Sequence, residues 1–210
     1  EQWTRVPPLY AALLELTQDR SERVRLLRNL SRTLADKLGD LGGAFAAAKD
    51  ALALAPEDFE VLAELEILAI KASAADEFAE VVTKALETAA AAPLSVWTEL
   101  TLAKARVLCA TRTQWGDAAN AFRTVLVKAA DDGHLSAASE GFGALLRSMP
   151  PGADRANELR WLNQWKVDRA SPDQRARALF AWAEAEEKDV GDAPAALALY
   201  RRVLESDDTD

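Results

Sequence analysis

The 210-residue chain has one cysteine, Cys109, and one histidine, His134. A Ser-His-Asp triad, a Cys-His dyad or a histidine metal site must pass through His134 or do without it. His134 follows Asp131-Asp132-Gly133. The chemistry to weigh there is a general base or a lone ligand beside carboxylates. An inter-repeat turn of this composition reads instead as solvent-facing, with His134 as a surface residue. Cys109 lies among Val107, Leu108 and Ala110, with Arg106 and Arg112 as the only near cations in sequence. That setting reads as a buried, unreactive thiol. A single cysteine excludes an intrachain disulfide and a CxxC site, and fits a reducing compartment.

Carboxylates are plentiful, at Glu57, Asp58, Glu60, Glu64 and Glu66, and again at Glu184, Glu186 and Glu187. Glycoside hydrolysis needs two carboxyl groups held across a cleft at fixed separation. Scattered over helix faces, these read as solvated charge. Gly42-Gly43 and Gly141-Phe142-Gly143 lack the Gly-Lys-Ser/Thr sequence and the preceding strand of a phosphate loop. Gly141 and Gly143 fall inside an expected helix and read as a close helix crossing. Two basic groups stand out: Arg20, Arg23, Arg25, Arg28 and Arg32, then Arg155, Arg160, Lys166, Arg169, Arg175 and Arg177. Either could take an acidic peptide or a phosphate. The simpler reading is an ion-paired, solvated face. Trp161 and Trp165, four apart, share a helix face. The tryptophans are expected to be buried between layers, with Trp182 the one facing the groove. No catalytic, cofactor-binding or metal-binding set emerges.

The elements that position these residues are helices. Half the chain is hydrophobic, but Ala and Leu dominate and Ile occurs only at Ile67 and Ile70. Ala and Leu favour helix, whereas strands draw on β-branched and aromatic residues. The net charge of −9 argues against a nucleic-acid partner. No stretch approaches the roughly 20 apolar residues of a membrane span. The sequence starts at Glu1 with no basic-then-apolar leader and reads as a piece of a longer protein.

Internal repetition organises the chain. Leu38-Gly39-Asp40, Trp115-Gly116-Asp117 and Val190-Gly191-Asp192 are three versions of one turn, and Ala75-Asp76 and Gly152-Ala153-Asp154 fall between them. The aspartates Asp40, Asp76, Asp117, Asp154 and Asp192 lie 36, 41, 37 and 38 residues apart. Each is expected to cap a helix start, and each preceding glycine to close a helix in the left-handed conformation. Apolar residues spaced by three and four flank every mark, as in Leu26, Leu27, Leu30, Leu34 and Leu38. Ser171-Pro172 and Asp19 with Glu22 mark further helix starts. The expected layout is a lone helix near 6–17, five hairpins at 20–55, 57–91, 94–130, 135–169 and 172–205, and an acidic tail at 206–210.

These residues resemble the tetratricopeptide repeat (TPR). The clearest match is Leu38-Gly39-Asp40, Ala44, Ala51-Leu52 and Pro56. The last hairpin matches at Gly191, Ala196, Tyr200 and Leu204, the third at Ala118, Phe122 and Leu126, and the second keeps Ala85-Leu86. The period, near 38 residues, exceeds the family's 34. The resemblance implies an all-α, TPR-like right-handed solenoid of about five hairpins plus an N-terminal half-repeat, as one array over 1–205.

It further implies a non-catalytic protein–protein interaction scaffold that binds a partner peptide or helix in a concave groove lined by the first helix of each hairpin. Carried over position by position, the lining is Asn29, Thr33, Lys37, Glu64, Lys71, Lys104, Trp182 and Lys188. Asn29 matches a position of the carboxylate clamp in chaperone-binding members. Later hairpins place Ala63, Ala103 and Ala181 there, so no clamp is expected. The alternatives are a regulatory or substrate-recruiting arm of an enzyme or sensor, and a purely structural, self-associating solenoid. The expected partner is a protein or peptide, with no nucleic acid, cofactor or membrane insertion. The expected compartment is the cytoplasm, with the periplasm and the exterior left open.

Overall fold

A computed structural model describes residues 3–88, 92–112 and 114–207. Among these the regular structure is helical throughout, without a strand. A 3₁₀ turn, Trp3–Arg5, leads into α1 (Val6–Leu16). Then come α2 (Arg20–Thr33), α3 (Leu41–Leu54), α4 (Phe59–Lys71), α5 (Ala75–Thr88), α6 (Leu94–Thr111) and α7 (Trp115–Lys128). The remaining helices are α8 (Asp132–Ser148), α9 (Ala153–Arg169), α10 (Pro172–Ala185) and α11 (Ala193–Asp207). The expected hairpin ranges cover α2 and α3, α4 and α5, α6 and α7, α8 and α9, and α10 and α11; of these, α2 packs on α3, α4 on α5, α6 on α7 and α10 on α11. The expected tail at 206–210 is helical as far as Asp207 and otherwise lies outside the described residues, as do residues 89–91 of the second hairpin. The chain divides into two compact units, Glu1–Ala138 and Ser139–Asp210, with the division inside α8.

Local chemistry explains the boundaries. Asp19 accepts a hydrogen bond from Glu22 N at 2.7 Å, and Asp58 accepts from Glu60 N and Val61 N at 3.0 and 3.2 Å. Both carboxylates satisfy first-turn N–H groups that have no partner within the helix. Arg23 closes the other end of α1, donating to Leu14 O at 2.7 Å and Thr17 O at 3.1 Å. Ser171-Pro172 starts α10 with Pro in its first turn, although no Ser171 side-chain cap bond forms.

Two of the five aspartate marks behave as expected. Asp40 accepts from Gly43 N at 2.8 Å and Asp192 from Ala195 N at 3.1 Å. The preceding Gly39 and Gly191 have φ of 70° and 78°, the conformation in which a Cβ is penalised. In both places the preceding helix widens into a π-helical turn, Leu34–Leu38 and Glu186–Val190. In each case the aspartate N–H then reaches back six residues, to Leu34 O and Glu186 O, at 2.9 Å.

The other three marks need correction. Gly116 and Asp117 lie inside the first turn of α7, and the left-handed residues nearby are Arg112 and Gln114, with φ of 55° and 50°. Asp76 and Asp154 also sit inside first turns, not ahead of them. Asp76 accepts from Gln114 Nε2 at 2.7 Å instead.

The first unit buries Leu52, Leu65, Phe78, Leu100, Leu108 and Phe122. Helices α2 and α3, α3 and α4, α4 and α6, α5 and α6, and α6 and α7 pack against one another. Ala44, Ala51 and Ala118 are fully buried, and Ser31 Oγ donates to Ala44 O at 2.8 Å. Small side chains let these backbones approach closely. In the second unit Val167, Leu179, Ala183 and Leu199 form a core, with Trp182, Tyr200 and Val203 packed on it. Tryptophan does not form the core as expected: Trp3 is exposed, and Trp97, Trp115, Trp161, Trp165 and Trp182 are half-buried. Nor does Gly143 mark a tight crossing, since an added Cβ would meet only the Arg147 guanidinium at 3.5 Å.

Candidate interaction surface

Helix α4 advances about 100° per residue, which separates its side chains into distinct rows. Val61, Leu62, Leu65, Leu68 and Ala69 point into the core. Phe59, Ala63, Ile67 and Ile70 lie in a stripe about 80° wide on the opposite, outer side. All four are exposed, with Phe59 at 44%, Ile67 at 52% and Ile70 at 42%. Hydrophobic spacing in the sequence cannot distinguish this outer row from the buried one.

Ion pairs run along both edges of the stripe. On the α2 side, Arg28 reaches Glu60 and Glu64, each at 2.8 Å, and lies 4.0 Å from Asp58. Arg32 also bonds Glu64. Burial pushes the Glu64 carboxyl up, but the hydrogen bonds from Arg28 and Arg32 outweigh it and hold the group below the ordinary glutamate range. The bond to Glu64 likewise raises the Arg28 guanidinium above its ordinary value.

On the α6 side, Arg106 Nε donates to Glu66 at 2.9 Å and Arg106 Nη2 to Glu99 at 2.8 Å. Burial lowers the Arg106 pKa, and the two carboxylates more than reverse that. Lys71 ends the α2-side edge; it is exposed and takes part in no ion pair among the described residues. Beside this edge a groove of about 460 Å³ is lined by Arg20, Arg25, Arg28, Asn29, Glu57 and Asp58, among others. Its cations are paired: Arg20 with Glu57 at 3.0 Å, Arg25 with Glu22 at 2.6 Å.

His134 does not sit in an exposed turn. It falls in the first turn of α8 with a side chain only 21% exposed. Nδ1 contacts Asp131, and Nε2 lies 3.4 Å from Glu99. The His134 hydrogen bonds hold Asp131 below the usual carboxylate range. His134 therefore joins the charged row through Glu99 and Arg106. Cys109 is half-buried, and burial pushes its thiol up, away from a nucleophilic thiolate. Among the described residues no group of three or more His, Cys, Asp or Glu side chains could hold a metal ion. No helix among them is long and apolar enough to cross a membrane.

Within the first unit the expected groove positions fall in separate places. Asn29 lines the groove beside α4 and Glu64 pairs with Arg28 of α2, while Thr33 Oγ1 is spent within α2 on Asn29 O at 2.8 Å. Lys71 lies at the end of the stripe. Lys37 stands over the Trp3 ring, 5.5 Å from its centroid. Lys104 donates to Thr83 at 3.0 Å in a groove between α5 and α6. Trp182 and Lys188 belong to the second unit, where Lys188 pairs with Glu184 at 2.6 Å. Of the clamp positions, Ala63 is exposed and Ala103 fully buried.

Trp182 has an inward role: its indole N–H donates to Glu186 at 3.0 Å. Glu186 is 1% exposed and also accepts two bonds from Arg160 at 2.9 Å, while Arg160 continues to Asp192 at 2.7 Å. Glu186 is thus not one of the solvated carboxylates its sequence setting suggests. The available signal was its position: it starts a π turn where the first hairpin has the buried Leu34. The rest of the second basic group is dispersed. Arg155 lies 3.4 Å from Asp189, Arg169 covers the Trp165 ring, and burial together with Arg147 holds Lys166 below the usual lysine range.

No protein-family model matches the chain, and no curated protein matches it.

Proposed function

We propose that this chain is a TPR-like array of helical hairpins that serves as a non-catalytic docking scaffold, with the outer face of α4 as its contact surface. The observation that carries the reading is the exposed row of Phe59, Ala63, Ile67 and Ile70 between two edges of ion pairs. An exposed apolar strip rimmed by polar groups is typical of an interaction site. The ion pairs fix the edges, so little side-chain freedom remains to be lost on binding. The helical pairs and the buried small residues at Ala44, Ala118 and Ala196 support the TPR-like reading of the fold. A protein or peptide partner and a cytoplasmic setting belong to the same proposal.

The test is affinity capture with the whole chain as bait, beside an Ile67→Asp/Ile70→Asp variant. Both positions are exposed, so the variant should keep its helical circular dichroism. A direct partner that binds the wild type and is lost from the variant supports the proposal. A partner retained equally by both, or none at micromolar bait, overturns it.

A further inference from the structure

We propose that the α4 stripe receives an amphipathic helix of about three turns bearing a carboxylate at the Lys71 end. This rests on the docking reading above and adds the chemistry of the occupant. The length comes from α4 itself, since Phe59 and Lys71 are 12 residues apart, about 18 Å along the axis.

The helical form follows from the edges. The donors of Arg28, Arg32 and Arg106 are directed at Glu60, Glu64, Glu66 and Glu99. An extended peptide laid on the stripe would face these occupied groups with its backbone N–H and C=O groups unsatisfied. A helix satisfies its own backbone and needs only an apolar row to contact Phe59, Ala63, Ile67 and Ile70.

The charge follows from what is left uncommitted. The edge carboxylates already accept from arginines. Past Ile70, Glu77 pairs with Lys49 at 2.8 Å and Asp76 accepts from Gln114. Lys71 is an exposed cation on the α4 edge of the stripe, with no ion pair among the described residues. A carboxylate brought by the occupant completes it, and a cation there meets like charge.

The probes are 16-residue Ala-based peptides, acetylated and amidated, with Leu at positions 3, 7, 10 and 14. They carry two Glu or two Lys at one terminus, each pair being made at either end. Fluorescence anisotropy with the whole chain gives the Kd values. The expected result is that a Glu peptide binds about fivefold tighter than its Lys counterpart, the size of one exposed ion pair. Lys71→Glu should reverse that order, and Ile67→Asp should remove binding of both. If the peptides bind and respond to Ile67→Asp but not to Lys71→Glu, the charge rule is overturned and the docking face stands. If no peptide binds the wild type, the helical occupant is overturned, and the capture experiment decides the docking face separately.

Discussion

Glu64 and Glu66, two residues apart on α4, reach opposite neighbours: Glu64 bonds Arg28 of α2 at 2.8 Å and Glu66 bonds Arg106 of α6 at 2.9 Å. A separation of two residues turns about 200° around a helix, so adjacent carboxylates can tie one helix to both sides. These pairs hold α2, α4 and α6 in register beneath the stripe.

Removal of Arg106 should destabilise the first unit. Arg106→Ala leaves Glu66 and Glu99, whose side chains are 14% and 25% exposed, without their cation. The expected loss is about 2 kcal/mol, against little or no measurable loss for Arg25→Ala, whose pair with Glu22 is exposed. Urea unfolding of the two variants measures both. Equal losses would show that burial does not set the strength of these pairs.

The three Gly-Asp marks should respond differently to alanine. Gly39→Ala and Gly191→Ala force a Cβ onto a left-handed backbone and should each cost about 1 kcal/mol. At Gly116 the backbone is helical and no atom lies within 4 Å of an added Cβ. Gly116→Ala should be neutral or gain up to about 1 kcal/mol. Thermal melts of the three variants decide the matter.

Glu186→Ala should be among the most damaging single changes in the second unit. It leaves Arg160 and the Trp182 indole without their buried acceptor. Arg160 keeps Asp192 as a partner at 2.7 Å, and the expected cost is about 2 kcal/mol. Tryptophan emission should shift as Trp182 loses its partner. A variant within 1 kcal/mol of wild type would show that the site relaxes to admit water.

Acid should loosen the α2–α4 contact. The folded pKa of Glu64 lies below its unfolded value, which is about 4.3 for an ordinary glutamate. Its contribution to stability is therefore complete above about pH 4.3 and is lost as the pH falls through the lower folded value. Arg28→Gln/Arg32→Gln should flatten the dependence of stability on pH between about 5 and 3. Chemical unfolding at a series of pH values measures the slope.

Much of the helical layout could be read directly. The Ala- and Leu-rich periodicity marked the helices, and Asp19, Asp40, Ser171 and Asp192 marked starts that the structure keeps. Capping and periodicity are local: they depend on residues within one or two turns, and the sequence contains those. The misreadings share a cause. Asp117 follows a glycine as Asp40 does, but its helix starts before it, because Gln114 already provides the left-handed residue.

What the sequence determined by itself is the all-helical class, the order and approximate ends of the helices, and the small residues where they cross. Short-range hydrogen bonding and apolar spacing carry that information. Only the tertiary structure decided which apolar row of α4 is buried and which faces out, and which charges meet. The arginine partners of Glu64, Glu66 and Glu186 lie 26 to 40 residues away in the chain. Those pairings depend on how one helix rotates against the next, which no local spacing specifies. The candidate surface was therefore only partly legible. Glu64 and Lys71 were read in advance, while Phe59, Ile67 and Ile70 become a surface only once Leu62, Leu65 and Ala69 are seen to fill the core.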